Sequence, residues 1–334
     1  IKRAQKIWLI YNTEPDAMNN GEESRFIKQI EVEGIHSVDT NLLISKTPVK
    51  KNVEPFYKKT KLVEEKLNSI IKNGVSASML CLYAMDQIKF FETYVLGLKE
   101  EIIEETIASS TIGNIVHDSL ELIYKDYVGK KLKIGDLKKM KEKINTTVNN
   151  IMRNYVREEN IYQGKNIIIV ETVKEYVKKV IELDQKTIEK ENRLRIIAVE
   201  REFEREIKGK GGKFKIRGKI DRIDELNGEL RVIDYKSGKK LSKSDLKIRE
   251  DEELTSEKGI YNLQLLVYML GIKEEFNEKT IKSGIINLKN ISEGVLEGVF
   301  NGKTTLSNDE MENYKKEVIK TITNILDKSK LFKN

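Results

Sequence analysis

Cysteine, proline, aromatic residues and long apolar runs are all scarce in this sequence. A single cysteine, Cys81, among 334 residues excludes an internal disulfide and any zinc or iron–sulfur site built from several thiolates. Three prolines and 7% aromatic residues, beside 34% charged residues, are typical of a helix-rich globular protein. No apolar run approaches the roughly 18 residues of a membrane span, and no charged-then-apolar leader opens the sequence. We therefore predict a cytoplasmic protein.

The charge balance is mildly basic. There are 61 basic and 54 acidic residues, which gives a net charge of +7 and an isoelectric point near 9.0. This excess favours a polyanionic partner, but it is too small to establish nucleic-acid binding by itself.

The most informative stretch is KFKIRGKIDRIDELNGELRVIDYK, residues 213 to 236. Residues that favour β-strands lead up to Asn227-Gly228 and away from it again, and this dipeptide is the strongest short-range signal for a two-residue β-hairpin turn. With Asn227 and Gly228 as the central turn residues, the register of the hairpin follows by counting outward. It pairs Leu226 with Glu229, Asp224 with Arg231, and Asp221 with Asp234.

The predicted pairing of Asp221 with Asp234 needs a cation nearby. Directly opposed side chains have Cβ atoms about 5 Å apart, and at an effective dielectric near 20 two carboxylates there repel by about 3 kcal/mol. Lys236 lies two residues beyond Asp234 and so on the same face of the strand, whereas Tyr235 lies on the other. Two carboxylates beside a lysine suit a hydrolase that uses a divalent metal, because they supply oxygen ligands and a cation that can steady a phosphate.

A third carboxylate could join this pair from the preceding strand. The glycine-rich KGKGGK at 208 to 213 is predicted to be a turn. A turn centred on residues 210 and 211 would bring Glu200 opposite Asp221, and one centred on 211 and 212 would bring Glu202 there instead. The sequence leaves both alternatives open. Asp224 has a sufficient structural explanation as the partner of Arg231.

Hydrophobic periodicity predicts a mixed α/β fold with many helices. From residue 112 onwards the core order is α-β-β-β-α-β, with the carboxylates at the centre of the sheet and a polar, non-periodic loop over residues 238 to 258. The predicted helices cover residues 25–30, 57–72, 76–98, 112–127, 136–158, 168–192, 261–271 and 308–331, and the predicted strands cover residues 7–11, 195–207, 213–226, 229–236, 284–288 and 298–300.

Two helical pairs accompany the carboxylates. His117 shares a helix face with Glu121, and Gln264 shares one with Tyr268, since each pair is four residues apart. An isolated histidine on an apolar helix is more often a packing residue than a metal ligand, so the periodicity alone assigns His117 no chemistry.

Five motifs in order carry a resemblance to the RecB-like branch of the PD-(D/E)XK nucleases. They are GNIVH at 113–117, VEREF at 199–203, GKIDRID at 218–224, VIDYKSG at 232–238 and QLLVY at 264–268. The resemblance covers roughly residues 76 to 290. It implies a restriction-endonuclease-like mixed sheet and a metal-dependent nuclease.

The resemblance also implies roles for individual residues. It makes His117, Asp221 and Asp234 metal ligands together with the carbonyl of Tyr235, and it makes Lys236 the residue that positions the attacking water. Glu200 would support the metal or the water, and Gln264 and Tyr268 would contact DNA and brace the site. Oxygen ligands with one imidazole suit Mg²⁺, with Mn²⁺ as a substitute.

The sequence departs from many of these relatives at one point. They carry an iron–sulfur cluster with a Cys-Pro ligand pair in a segment like residues 76 to 98, where this chain has Asp86-Gln87. We therefore predict no iron–sulfur cluster here, and we expect packing by Phe90, Phe91 and Tyr94 to replace its mechanical role.

The beginning of the chain points to a larger assembly. RAQKIWLIYN and GEESRFIKQI resemble the end of the helicase portion of AddB-type helicase-nucleases, and the chain opens on Ile1, so we expect a fragment of a longer polypeptide. The predicted domains are residues 1–52, the end of a helicase-like region with its connection, and residues 53–334, the nuclease domain.

The function implied by this resemblance is a Mg²⁺-dependent deoxyribonuclease that processes double-strand breaks for recombinational repair. An exonuclease is expected, and its partners would be single-stranded or linear DNA ends, the helicase region and a partner subunit. Cleavage polarity and the choice between exo- and endonuclease remain open. One rival interpretation is a catalytically silent DNA-binding scaffold with a nuclease fold, against which the intact set of His117, Asp221, Asp234 and Lys236 counts. The other is a stand-alone nuclease of CRISPR adaptation, against which the helicase-like beginning and the missing cysteines count.

Overall fold

A computed structural model describes residues 6–10, 23–42, 56–98, 109–209, 212–276 and 280–333. The chain divides into two compact units, Ile1–Val53 and Glu54–Asn334. The first contains helix α1, Arg25–Glu33, which begins after Ser24 and ends at Gly34 with φ of 62°. The predicted helix at 25–30 is thus confirmed. The predicted strand at 7–11 is wrong where it can be tested, because residues 6–10 have no regular secondary structure, and Tyr11 lies outside the described residues. The helicase-like assignment of this unit stays a prediction.

The second unit is built on a six-stranded mixed sheet in which β3 occupies a central position. Along the sheet the order is β1-β3-β4-β6-β7, and β2 also pairs with β3. The pairings of β1 with β3 and of β4 with β6 are parallel, and the others are antiparallel. Its strands are β1 Val75–Ser76, β2 Leu194–Gly209, β3 Gly212–Leu226, β4 Glu229–Lys236, β6 Ile281–Asn287 and β7 Val295–Glu297, while β5 Lys247–Ile248 and β8 Val299–Phe300 form a separate two-stranded sheet.

Helices cover both faces of the sheet. In the described part of the second unit they are α2 Lys61–Asn73, α3 Ala77–Met85, α4 Gln87–Phe90, α5 Ser109–Tyr124, α6 Ile134–Met152, α7 Glu158–Ile161, α8 Lys165–Glu189, α9 Ile260–Ile272 and α10 Asn308–Leu326, with a π-helical turn at Phe91–Leu96. The elements α5, β2, β3, β4, α9 and β6 follow one another in the predicted α-β-β-β-α-β order. The predicted restriction-endonuclease-like mixed α/β fold is therefore confirmed. No helix in the described ranges is long and apolar enough to cross a membrane.

The two faces of the sheet have separate cores. One core joins α5, α6 and α8 to side chains such as Ile233 and Tyr235 of β4. The other joins α2, α3, α9 and α10 to side chains such as Ile220 and Ile223 of β3. The sheet is thus sandwiched between helical layers, which is why β4 and β6 are buried along most of their length.

The register of both turns follows from the strand pairs. Leu226 pairs with Glu229 and Asp224 with Arg231, as the Asn227-Gly228 turn predicts. Across the glycine-rich turn, Gly209 pairs with Gly212. That pairing corresponds to the turn centred on residues 210 and 211, which themselves lie outside the described residues. Of the two alternatives, Glu200 is therefore the residue opposite Asp221, whereas Glu202 pairs with Lys219.

The alternation of side chains reverses at Glu200 and Asp221. Arg201 pairs with Ile220, and Ile220 belongs to the core beneath α9. Val199 pairs with Arg222, and Val199 packs in the other core, beneath α5. Residues two apart on a regular strand share a face, so the residues between these pairs must interrupt the pleat. Glu200 does so with a left-handed φ of 48°, while the register on both sides stays the same.

The predicted long helix at 76–98 is broken. Ser76 caps α3 as expected, but Asp86 ends that helix and its carboxylate accepts a hydrogen bond from Lys89 N to begin α4. Behind the break, Phe90 and Phe91 pack against Phe332, which follows α10 and forms a β-bridge with Tyr57, at ring-centroid distances of 5.9 and 5.2 Å. Tyr94 packs on Phe90, so the expected aromatic packing is confirmed.

The polar stretch at 238–258 is more structured than its composition suggests. It contains a 3-10 turn at Lys243–Leu246 and strand β5. Leu246, Ile248 and Leu254 are buried and anchor the stretch to the core. Together with buried Leu241 these make only four apolar side chains among many charged ones, which is too weak a periodic signal to reveal the structure.

Candidate active site

Three side chains from different elements converge where the side-chain alternation of β2 and β3 reverses. His117 lies on α5, Glu200 on β2 and Asp221 on β3. His117 Nδ1 lies 3.5 Å from Glu200 Oε1 and 3.4 Å from Asp221 Oδ1. One ligand atom from each residue lies within 4.8 Å of those of the other two. An imidazole and two carboxylates so arranged can hold a single cation.

The backbone of Tyr235 completes this side of the site. Its N–H donates to Asp221 Oδ2 at 2.7 Å, and its carbonyl oxygen lies 3.2 Å from His117 Nε2. The ladder between β3 and β4 ends at Arg222 and Ile233, one position before Asp221 and Asp234. Asp221 and Asp234 are therefore not directly paired across the two strands, contrary to the prediction from the turn. The Asp221 carboxylate instead accepts a hydrogen bond from the backbone of Tyr235.

Asp234 is held by a different set of partners. Gln264 Nε2 donates to its Oδ1 at 3.0 Å and Tyr268 OH donates to the same oxygen at 3.5 Å. Lys236 Nζ lies 3.0 Å from Oδ2. That contact is an ion pair, and Oδ2 has no further hydrogen-bond partner among the residues that the structure describes. Asp234 is thus fixed through one oxygen, and its buried second oxygen keeps free acceptor capacity.

The ionisable groups of the site shift one another's pKa. Burial lowers the pKa of His117, but hydrogen bonds to Asp221 and Glu200 outweigh burial and raise it to about 11. Burial raises the pKa of Asp234, and the charge of Asp221 adds to that rise while Lys236 opposes it. Burial lowers the pKa of Lys236, but Asp234 more than compensates, so the pKa of Lys236 lies above its usual value. Lys236 is therefore a cation and not a proton acceptor. His117 is protonated, because the carboxylates of Asp221 and Glu200 stabilise its charged form.

The site fits a divalent cation. Its potential ligands are one imidazole, the carboxylates of Glu200 and Asp221, and the carbonyl of Tyr235, which are the donors that hard divalent cations accept. Buried Asp234 adds to this negative charge, and its Oδ2 contacts only the Lys236 ammonium, so the oxygen retains acceptor capacity for a further cation.

Two of the sequence-predicted site residues brace the site. Gln264 and Tyr268 lie four residues apart on α9, and Gln264 Nε2 donates to Tyr268 OH at 2.8 Å. Both side chains are buried and meet at Asp234. Their contact with DNA stays a prediction, whereas their contact with Asp234 is direct. Glu202 is exposed on β2 and lies beside Lys219 instead of in the site.

Sequence reasoning missed two groups of residues around the site. Lys219 Nζ lies 2.7 Å from Glu200 Oε2, and only the register of the glycine-rich turn could have indicated that pair. On the opposite face of β3, Arg222 is buried and bound to Asp184 and Asp224. A charged residue in a strand is normally read as exposed, so the pattern gave no signal for it.

Comparisons with known proteins place this geometry in context. The family model described as "PD-(D/E)XK nuclease superfamily" matches residues 74–332. A solved structure titled "Crystal structure of SSO0001" is 16% identical and aligns over 78% of this chain and 84% of that chain, with a TM-score of 0.23, which carries no argument about the fold. No curated protein matches the chain significantly.

Proposed function

This chain belongs to the PD-(D/E)XK nuclease superfamily, and from that premise we propose that it is a Mg²⁺-dependent deoxyribonuclease that hydrolyses phosphodiester bonds. The observation that carries the proposal is the convergence of His117, Glu200 and Asp221 beside the pair of Asp234 and Lys236. A scaffold that only binds DNA has no need for buried carboxylates that repel one another, because each costs free energy without a cation.

Each residue has a role in the proposed reaction. His117, Asp221, Asp234 and the Tyr235 carbonyl would hold the ion, with Glu200 as a further ligand or a support. When bound, a divalent ion supplies Lewis-acid stabilisation of the phosphate and an activated water. Lys236 stays protonated, orients the attacking water through its ammonium group and offsets the negative charge that develops on the phosphate. Gln264 and Tyr268 keep Asp234 in one rotamer, which holds its Oδ2 towards Lys236.

The wider role proposed for the chain is end processing in double-strand-break repair, as the nuclease part of an AddB-type helicase-nuclease. The support is the resemblance of the first 30 residues to the end of a helicase region. Under this proposal the substrates are single-stranded or linear DNA, Mn²⁺ substitutes for Mg²⁺, and a partner subunit supplies further helicase or nuclease function.

The decisive experiment compares nuclease activity in matched variants. Asp234→Asn and Lys236→Ala should lower the rate of Mg²⁺-dependent cleavage of labelled single-stranded DNA by at least a hundredfold, because each removes a charge at the reacting phosphate. Asp309→Asn and Lys316→Ala, which change exposed residues of the same types on α10, should cleave like the unsubstituted protein. Circular single-stranded DNA, assayed alongside, should resist cleavage if the enzyme needs an end.

Two outcomes would overturn this proposal. Equal cleavage by the unsubstituted protein and Asp234→Asn would show that the activity does not come from this site. Tight DNA binding without cleavage and without calorimetric binding of Mg²⁺ or Mn²⁺ would favour the scaffold. Circular dichroism of every variant would show that a lost rate does not reflect a lost fold.

A further inference from the structure

A buried polar network lies on the face of β3 opposite Asp221. Arg222 is only 1% exposed, and its guanidinium donates to Asp184 from Nη1 at 2.8 Å and from Nη2 at 3.1 Å. Its Nε donates to Asp224 at 2.7 Å. Tyr124 OH donates to Asp184 at 2.6 Å, and the Arg222 guanidinium lies 5.2 Å from the centre of the Tyr124 ring. Asp224 is held from its other side by Arg231, at 2.7 and 3.0 Å.

The network joins the same elements that supply the site. Helix α5 carries His117 and, two turns later on the same face, Tyr124. Strand β3 carries Asp221 and the adjacent Arg222. Strand β4 carries Tyr235, whose hydroxyl interacts with the Arg222 guanidinium and whose ring lies edge-on to His117 at 5.7 Å.

Helix α8 contributes Asp184 as the common acceptor of the network. Tyr124 OH and Arg222 Nη1 both donate to its Oδ2, so this one carboxylate oxygen links α5 to β3. The distance between His117 and Asp221 is therefore fixed twice, once directly in the site and once through this network.

Stability does not explain such a network. Taking a guanidinium and two carboxylates out of water costs several kcal/mol per ion, and replacing buried ion pairs by apolar residues of similar volume is often neutral or stabilising. Both cores of the sheet are rich in Ile, Leu and Val, so apolar side chains could fill this layer as well. What hydrogen bonds supply and apolar contacts do not is a fixed direction and distance between elements.

We propose that Arg222, Asp184 and Tyr124 are positioning residues that set the spacing of His117 and Asp221 for a divalent cation. This inference rests on the proposed metal site. The three residues touch neither the cation nor the substrate. They act through α5 and β3, because a coordination sphere tolerates only tenths of an ångström, whereas an apolar interface allows helices to slide by more. Residues that hydrogen-bond metal ligands directly typically contribute tenfold to hundredfold to metal affinity, which sets the scale for this indirect positioning.

The test separates metal affinity from stability. In the triple variant Tyr124→Phe/Asp184→Leu/Arg222→Met, the three proposed positioning residues become apolar, and Asp224 keeps its two bonds to Arg231. We expect its midpoint of chemical unfolding to equal or exceed that of the unsubstituted protein, while the Kd for Mn²⁺ measured by calorimetry with MnCl₂ rises by at least tenfold. The Mg²⁺ concentration for half-maximal cleavage should rise by the same factor, while the rate at saturating Mg²⁺ stays within about twofold, since Asp234 and Lys236 are untouched.

Single variants keep the inference testable if the triple variant does not fold. Tyr124→Phe removes only one hydroxyl, and Tyr94→Phe is its matched control, since the Tyr94 hydroxyl hydrogen-bonds Ser76 in the other core. Tyr124→Phe should raise the Kd for Mn²⁺ severalfold, and Tyr94→Phe should leave it unchanged. Arg222→Lys, which keeps the charge but cannot bridge Asp184 and Asp224 with a planar fork, should bind Mn²⁺ more weakly than the unsubstituted protein.

The outcomes are distinct from a failure of the proposed function. If the unsubstituted protein bound no Mn²⁺ and cut no DNA, the proposed function itself would fail. If it did both, and Tyr124→Phe and the triple variant bound Mn²⁺ with unchanged Kd, the positioning role would be overturned. A large loss of stability with unchanged Kd in the triple variant would assign the network to stability alone.

Discussion

At the scale of single residues, Glu200 combines a proposed chemical role with an unfavourable backbone. A left-handed φ costs a residue with a side chain about 1–2 kcal/mol relative to glycine, and Glu200 adopts φ of 48° within a strand. That conformation reverses the pleat between Val199 and Arg201, and it leaves the carboxylate beside His117 and Lys219. Strain at such a position persists only where the surroundings impose it.

The backbone strain at Glu200 predicts an inverted order of stability for two truncations. Glycine is usually worse than alanine in a strand, but Glu200→Gly should be more stable than Glu200→Ala by about 1 kcal/mol, because only glycine adopts a positive φ without cost. Urea unfolding of both variants measures the difference, and both lack the carboxylate, so its loss cancels. Glu202→Gly and Glu202→Ala, two residues along the same strand at ordinary φ, should show the reverse order. Equal stability of the Glu200 pair would contradict the strain.

The proton on His117 predicts a pH dependence of metal binding. Carboxylates raise the pKa of this imidazole to about 11, so at pH 7 to 9 the metal-free site is protonated and a cation must displace that proton. The sign follows directly: as pH rises, the competing proton becomes scarcer and the apparent affinity for Mn²⁺ increases, by up to about tenfold per unit. Calorimetry at one pH in buffers of different ionisation enthalpy should reveal the release of about one proton. His117→Gln should release none, and buffer-independent heats in the unsubstituted protein would exclude His117 as a ligand.

At the scale of elements, α9 is the helix that links the site to the core. Every residue from Leu263 to Ile272 is buried, so this helix is enclosed on all sides. Its Gln264 and Tyr268 hold Asp234. Its Gly271 lets the ring of Phe203 from β2 lie directly against the helix, and that ring in turn packs edge-on to Tyr268 at 6.2 Å. The position of Tyr268 thus depends on a glycine one turn away.

This packing predicts that Gly271→Ala destabilises the protein. A Cβ there would lie 2.4 Å from Phe203 Cδ2, which requires the ring to move. Alanine gains about 1 kcal/mol of helix propensity over glycine, but overpacking a core costs about 1–3 kcal/mol. We expect a net loss of about 1 kcal/mol in the free energy of unfolding, measured in urea.

The companion substitution identifies the cause. Phe203→Leu alone should destabilise by creating a cavity, while Phe203→Leu combined with Gly271→Ala should be more stable than the sum of the single effects predicts, because the new methyl fills the vacated space. Strict additivity of the two substitutions would show that the ring and the glycine do not interact.

At the scale of the whole second unit, the sheet separates two kinds of polar chemistry. The reversal of side-chain alternation at Glu200 and Asp221 brings the candidate metal ligands together. The neighbouring Arg222 connects the same strand to α5 and α8 through Tyr124 and Asp184. Consecutive residues in a strand point to opposite sides, so Asp221 contributes to the candidate metal site and Arg222 to the buried polar network. We expect the network to change metal affinity because it fixes the relative positions of α5, β3 and α8, and not because its residues bind the metal.

Local signals account for much of this molecule. The Asn227-Gly228 turn determined the register from Leu226 to Asp224, because a two-residue hairpin allows one alignment and period-two alternation preserves it. Apolar periodicity predicted the α-β-β-β-α-β order of the core, and ordered motifs pointed to Lys236, Asp234 and His117, whose roles stay predictions. The hairpin register and the core order depend on residues close in sequence, so for these features the sequence by itself was sufficient.

Only the tertiary structure decided the features that depend on distant segments. The choice of Glu200 over Glu202 required the register across a glycine turn that no side chain specifies. The reversal of the pleat required a strained, positive φ at Glu200, which cannot be predicted from a glutamate in a strand. The burial of Arg222 required Asp184 and Tyr124, which lie 38 and 98 residues before it in the chain. Each of these is set by which elements pack together, since a carboxylate or a guanidinium is tolerated in the interior only when a partner from elsewhere in the fold meets it there.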